Sequence, residues 1–214
     1  MGIGEVTARR GVILDRDGTL IDVVRDEETG AISTAFHPDQ LVLLTGVVEG
    51  LRLLADAGFV FAIATNQPGP AKGHFSAEAV RRTNAALVEK LAAEGIAVGS
   101  VQVCLHHPDG GPRGDRSLVG PCDCRKPKAG MLNAAVAELG LERAASWMVG
   151  DSAADVEAGA LAGLRTGLVF PNNRCELCPL RAGVTEIGKR AVPSVHGGTL
   201  LAVARAILAA GERA

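Results

Sequence analysis

Two aspartates one residue apart stand in Asp15-Arg16-Asp17-Gly18-Thr19-Leu20, directly after the apolar run Gly11-Val12-Ile13-Leu14. A third closes Val149-Gly150-Asp151 far downstream, beyond the triplet Arg125-Lys126-Pro127. Carboxylates at the end of a buried strand, followed by glycine and a hydroxyl, offer a nucleophile and a proton donor to one open mouth, a set suited to phosphoryl transfer. The bland alternative for the Asp15-Asp17 pair is a turn whose aspartates bond nearby amides. A second group joins Cys104-Leu105-His106-His107-Pro108 to Cys122-Asp123-Cys124. Soft thiolates and an imidazole in two short knuckles suit tetrahedral zinc of Cys₃His type, held by Cys104, His106, Cys122 and Cys124. His106 is a better ligand candidate than His107. Four protein ligands leave no open position for water, so this zinc is expected to be structural, pinning the loop that delivers Arg125 and Lys126.

The elements that must position these residues follow from periodicity. Apolar, β-branched runs at Val12 to Leu14, Val60 to Ala64, Ser100 to Leu105, Ser146 to Val149, Thr166 to Phe170 and Ala191 to Val195 predict strands. Helical spacing over Val47 to Ala57, Ser76 to Glu94, Ala129 to Leu139, Ala153 to Ala162 and Thr199 to Ala209 predicts helices between or after them. Such alternation predicts an α/β fold, a central parallel sheet covered on both faces, with ligands at the carboxyl ends of its strands. Asp15 would follow the first strand, Thr65-Asn66 the second and Asp151 the fourth. Three irregular stretches, Ile21 to Gln40, His106 to Pro121 and Pro171 to Arg190, are long enough to be functional, and the first could form a small flap over the mouth. Ser76 with Glu78, and Glu89 to Lys90, read as an ordinary helix start and a solvated face.

Length and composition narrow the function classes. A chain of 214 residues suits one domain, 1–214, with a real core. No apolar run reaches the ~20 residues of a membrane span, and Met1 to Arg10 lacks an apolar signal core, so a cytoplasmic location is expected. A net charge of −2 and the absence of Tyr argue against a nucleic-acid partner. Oligomeric state is not legible.

The ordered motifs DRDGTL, ATNQPG, CRKPKAG and VGDSAAD resemble those of the haloacid dehalogenase superfamily of phosphohydrolases, over roughly Gly11 to Leu164. The resemblance implies a three-layer Rossmann-like fold without a large cap domain. It also implies that Asp15 attacks phosphorus to form an aspartyl-phosphate, and that Asp17 protonates the leaving oxygen and then deprotonates water. Thr65 and Asn66 would bind phosphoryl oxygens and Lys126 would offset their charge. Mg²⁺ would be held by Asp15, Asp151 and the Asp17 carbonyl. Asp155 could orient Lys126 or a metal-bound water, or serve only as an acid at a helix N-terminus.

The zinc knuckles are similar to those of two branches, the D-glycero-D-manno-heptose 1,7-bisphosphate phosphatases and the histidinol-phosphate phosphatases. Thr65-Asn66-Gln67-Pro68-Gly69-Pro70-Ala71-Lys72-Gly73 and Gly130-Met131-Leu132 are closer to the heptose branch, in which Arg125 would contact the sugar phosphate or a hydroxyl. The chain departs from that branch at Ile21, where an asparagine is usual, and in the flap Val23 to Gly30, which lacks the expected aromatic and glycine pattern. A phosphotransferase and a zinc-stabilised module that binds phosphate without turnover are the rivals to hydrolysis. Cys175 and Cys178 read as free thiols of an exposed loop, and His37, His74 and His196 as surface or packing residues.

Overall fold

The computed structural model describes residues 9–25, 28, 30–170 and 192–211. Six strands form one parallel sheet in the order β5-β4-β1-β6-β7-β8. They are β1 (Gly11–Leu14), β4 (Val60–Asn66), β5 (Val98–Cys104), β6 (Trp147–Gly150), β7 (Arg165–Val169) and β8 (Val195–Gly197). The central strands β1 and β6 are buried along their whole length, as a parallel sheet covered on both faces requires.

Alternation along β1 assigns its residues to two cores. Val12 and Leu14 join Leu51, Leu54, Leu87, Leu91, Val203 and Ile207 on one face, contributed by α1 (Val47–Asp56), α3 (Ala77–Ala93) and α6 (Leu200–Gly211). Ile13 joins Met131, Leu132, Ala135 and Ala158 on the other, from α4 (Gly130–Leu139) and α5 (Ala153–Leu161). The result is the expected three-layer, Rossmann-like arrangement. Ser76 caps α3 by accepting from Ala79 N–H at 3.1 Å, and Glu78 pairs with Arg81 on its exposed face, so these residues serve the helix.

Three expectations shift. Thr65 and Asn66 lie inside β4, because that strand continues to pair with β5 as far as Asn66↔Cys104. The last strand is Val195–Gly197, not Ala191 to Val195; Val195, His196 and Gly197 pair with Gly167, Leu168 and Val169 of β7. A short helix, α2 (Gly69–Lys72), was not expected, since glycine and proline are poor helix formers; Pro70 stands in its first turn, where its missing N–H costs nothing.

The stretch after Asp17 contains the antiparallel pair β2 (Val24–Arg25) and β3 (Ile32–Ser33), a minimal flap. Its far end is tethered where Phe36 stacks on Phe75, ring centroids 5.1 Å apart. Among the described residues there is no large cap, and no helix is long and apolar enough to cross a membrane. The stretch Pro171 to Arg190, with Cys175 and Cys178, lies outside the described residues.

Candidate active site and metal centre

The carboxyl ends of β1, β4 and β6 bring the separated motifs together. Asp15 N–H donates to the Val149 carbonyl at 2.9 Å, which ties the residue after β1 to β6. Gly18 has φ +80°, and a Cβ there would collide with the Asp151 carboxylate, so this glycine permits the two acidic loops to approach. Lys126 reaches in from the other side. Its ammonium lies 2.7 Å from Asp15 Oδ1 and 2.6 Å from Asp155 Oδ1, and donates to the Ala64 carbonyl at 2.7 Å.

Asp155 thus pairs directly with Lys126. Its other oxygen accepts from Ser152 N–H and Oγ, closing a capping box at the start of α5.

Asp15, Asp151 and Asp155 each offer an oxygen within 4.8 Å of the others. Burial, opposed by Lys126 and reinforced by the neighbouring carboxylates, raises the Asp15 carboxyl to about 7. Asp151 is held well above the ordinary range, first by burial and then by Asp15 and Asp155. Burial alone would lower Lys126, but the two carboxylates outweigh it and keep the ammonium charged. With all three carboxyls ionised, the single ammonium would leave two negative charges unbalanced, which is why burial without a cation favours the protonated forms of Asp15 and Asp151. A hard divalent cation with oxygen ligands fits that deficit.

Asp17 is held by a separate network that motif reading left without a role. Arg16, fully buried, donates through Nε to Asp17 Oδ2 at 3.1 Å and through Nη2 to Oδ1 at 3.2 Å. Thr34 Oγ1 donates to Oδ1 at 2.7 Å, and Gln67 Nε2 donates to Oδ2 at 2.7 Å and to Thr65 Oγ1 at 2.8 Å. Arg16 and Gln67 sit inside recognisable motifs, so they had a signal; Thr34 in the flap and Asn84 in α3, which accepts from Arg16 Nη1 at 2.6 Å, had none.

Asn66, expected to bind phosphoryl oxygens, commits its side chain elsewhere. Nδ2 donates to the Lys126 carbonyl at 3.0 Å and Oδ1 accepts from Lys126 N–H at 3.1 Å. The side-chain amide thus clamps the main chain of Lys126. Thr65 remains buried beneath the mouth with its hydroxyl on Gln67. Arg125 donates to the His106 carbonyl at 3.3 Å, which ties it to the cysteine loop.

The four proposed soft ligands converge. Cys104 Sγ lies 3.0 Å from Cys124 Sγ and 3.8 Å from Cys122 Sγ, and His106 Nδ1 is 3.4 Å from Cys124 Sγ and 3.9 Å from Cys104 Sγ. A tetrahedron with Zn–S bonds of about 2.3 Å has edges of roughly 3.8 Å. The Cys104–Cys122 separation equals that edge and the Cys104–Cys124 contact is shorter. All four ligand atoms lie within 4.8 Å of one another, close enough to hold one metal ion. Burial and then the Cys124 hydrogen bond push the Cys104 thiol far above its ordinary value. At Cys122 burial is outweighed by hydrogen bonds, led by the Arg125 N–H, and the thiol is lowered. His107 points away, its Nδ1 accepting from Asp109 and Gly110 N–H. The intervening loop packs on α2, where Asp115 N–H donates to the Pro70 carbonyl at 3.0 Å. At Gly114 a Cβ would meet the Ala71 carbonyl.

A HAD-hydrolase-like family model matches residues 123–173. The D-glycero-beta-D-manno-heptose-1,7-bisphosphate 7-phosphatase of Haemophilus ducreyi is 34% identical over 159 residues, covering 74% of this chain and 81% of that relative. The protein of the same name from Pseudomonas putida is 38% identical over 161 residues, again covering 74% and 81%. Among solved structures, the D,D-heptose 1,7-bisphosphate phosphatase from B. bronchiseptica, complexed with magnesium and phosphate, matches with a TM-score of 0.72 and 27% identity over 94% of this chain and 99% of that one. The chain is a phosphoric monoester hydrolase and belongs to the haloacid dehalogenase-like phosphatases, in the branch of the D-glycero-D-manno-heptose 1,7-bisphosphate 7-phosphatases.

Proposed function

We propose that this single-domain enzyme removes the 7-phosphate of D-glycero-D-manno-heptose 1,7-bisphosphate. The observation that carries the chemistry is the pairing of Asp15 Oδ1 with Lys126 Nζ at 2.7 Å, with Asp151 alongside and Asp17 two residues on. The named activity of the relatives supports the substrate.

In the first step an Asp15 carboxylate oxygen attacks phosphorus. The bond to the sugar oxygen breaks and Asp17 delivers a proton to that oxygen, releasing the alcohol. Asp17 then takes a proton from water, whose oxygen attacks the aspartyl-phosphate and frees inorganic phosphate and Asp15. Lys126 offsets charge on the phosphoryl oxygens, Thr65 contributes its hydroxyl, the Asn66 clamp holds the Lys126 peptide at the mouth, and Arg125 faces the sugar. Asp15, Asp151 and the Asp17 carbonyl would hold a Mg²⁺ ion, which would supply the remaining charge neutralisation. Cys104, His106, Cys122 and Cys124 would hold a structural Zn²⁺, which would fix the loop that ends at Lys126.

Phosphate release with Mg²⁺ tests this reading, using heptose 1,7-bisphosphate, both heptose 1-phosphate anomers, histidinol phosphate and other sugar phosphates, with Asp15→Asn as control. Selective release from the bisphosphate, leaving the 1-phosphate, is expected. Preference for histidinol phosphate would overturn the substrate, and release that survives Asp15→Asn would overturn the mechanism.

A further inference from the structure

We infer that Asn84, in the middle of α3, is a positioning residue for the proton-transfer group Asp17, acting through Arg16. The inference rests on the phosphatase mechanism above. Arg16 is fully buried, and its fork is divided between two tasks. Nε and Nη2 face Asp17, Thr34 Oγ1 and the Ala35 carbonyl, whereas Nη1 has one recorded acceptor, Asn84 Oδ1 at 2.6 Å. Rotation of the guanidinium would move both of its bonds to the Asp17 carboxylate together. Asn84 fixes that rotation from the side opposite Asp17.

The surroundings of Asn84 argue that this is its purpose. It is 5% exposed and borders an open apolar groove of about 540 Å³ lined by Val80, Val88, Val101 and Val103. Its Nδ2 is buried with no hydrogen-bond partner. An amide in apolar surroundings with half its hydrogen-bonding capacity unused is a poor choice for packing, since an unpaired buried donor costs free energy that an aliphatic side chain would not. The oxygen that serves Arg16 offsets that cost only if the orientation of Arg16 matters.

A misdirected proton donor harms substrates with poor leaving groups and spares those whose leaving group needs no proton. The test measures kcat for the sugar phosphate selected by the release panel and for p-nitrophenyl phosphate, in Asn84→Ala, Asn84→Asp and Asp17→Asn. Asn84→Ala is expected to lower kcat for the sugar phosphate by about ten- to hundredfold, the scale of one lost hydrogen bond to a buried charge. Loss with p-nitrophenyl phosphate should be several times smaller. Asn84→Asp, which keeps an oxygen facing Nη1, should return the ratio of the two rates towards that of the parent. If Asn84→Ala does not fold, Asn84→Ser is measured in its place with the same expectation. Equal losses on both substrates, or no loss, would overturn the positioning role while Asp17→Asn still shows the leaving-group bias. Absence of that bias in Asp17→Asn would instead overturn the mechanism on which the inference rests.

Discussion

Asn66 and Lys126 are joined across 60 residues of sequence by two reciprocal hydrogen bonds, side-chain amide to main-chain peptide, at 3.0 and 3.1 Å. The amide of Asn66 imitates a neighbouring strand and gives the segment after the cysteine knuckle a fixed register against β4. Asn66→Ala should therefore lower kcat with only a modest change in stability, about 1 to 3 kcal/mol for two part-buried hydrogen bonds. Urea unfolding and steady-state kinetics on the same preparations check this; unchanged kcat would mean that the clamp does not position Lys126.

Lys126 itself is a different case. Removing it leaves Asp15 and Asp155 facing each other without their shared cation, and breaking a buried pair of this kind costs about 3 to 5 kcal/mol. Lys126→Met should abolish turnover and lower the unfolding midpoint sharply. The double variant Lys126→Met/Asp155→Asn should recover part of the stability and none of the activity, because it removes one stranded charge without replacing the cation.

The raised Asp15 carboxyl predicts opposite pH responses for the bare protein and for metal binding. Asp15 titrates at about 7 when folded against 3.8 ordinarily, so between those values the folded chain keeps a proton that the unfolded chain has released. Stability of the protein without Mg²⁺ should fall as pH rises through that window. Mg²⁺ needs the ionised carboxylate, so its affinity should rise over the same range and binding below neutrality should release protons. Denaturant melts without Mg²⁺ and calorimetric titrations in buffers of different ionisation heat measure the two trends. A pH-independent Mg²⁺ affinity would remove Asp15 from the ligand set.

Withdrawal of the soft metal should act at a distance. Metal analysis is expected to find one equivalent of zinc, and chelation should lower kcat while making the segment between His107 and Pro121 susceptible to proteolysis, since hydrogen bonds such as His107 N–H to Leu118 O at 3.1 Å would remain as its principal restraints. Cys122→Ser should reproduce the effect. Full activity in zinc-free protein would show that the knuckles do not govern Lys126.

The strand ends and their acids were legible because a buried parallel strand writes itself as a continuous apolar run, and Asp15 and Asp151 stand directly after two of them. The cysteine knuckles were legible from ligand type and spacing. The support for Asp17 was legible only in part: Arg16 and Gln67 stand inside motifs, whereas Thr34 and Asn84 come from separate segments and meet them only through the fold. The task of Asp155 was not legible: a carboxylate early in a helix has the same local pattern whether or not a lysine arrives from another loop. Single-sequence periodicity also misplaced β8, whose residues, half-buried or exposed, carry little apolar signal.

Cys124 and Lys126 are separated by a single residue, so one short segment joins the cysteine-histidine cluster to the lysine paired with Asp15 and Asp155. On the proposed reading the enzyme depends jointly on two elements that a cell acquires and stores by unrelated routes. Scarcity of zinc would silence a magnesium-dependent reaction even where magnesium is abundant, making turnover a report on the poorer of the two supplies.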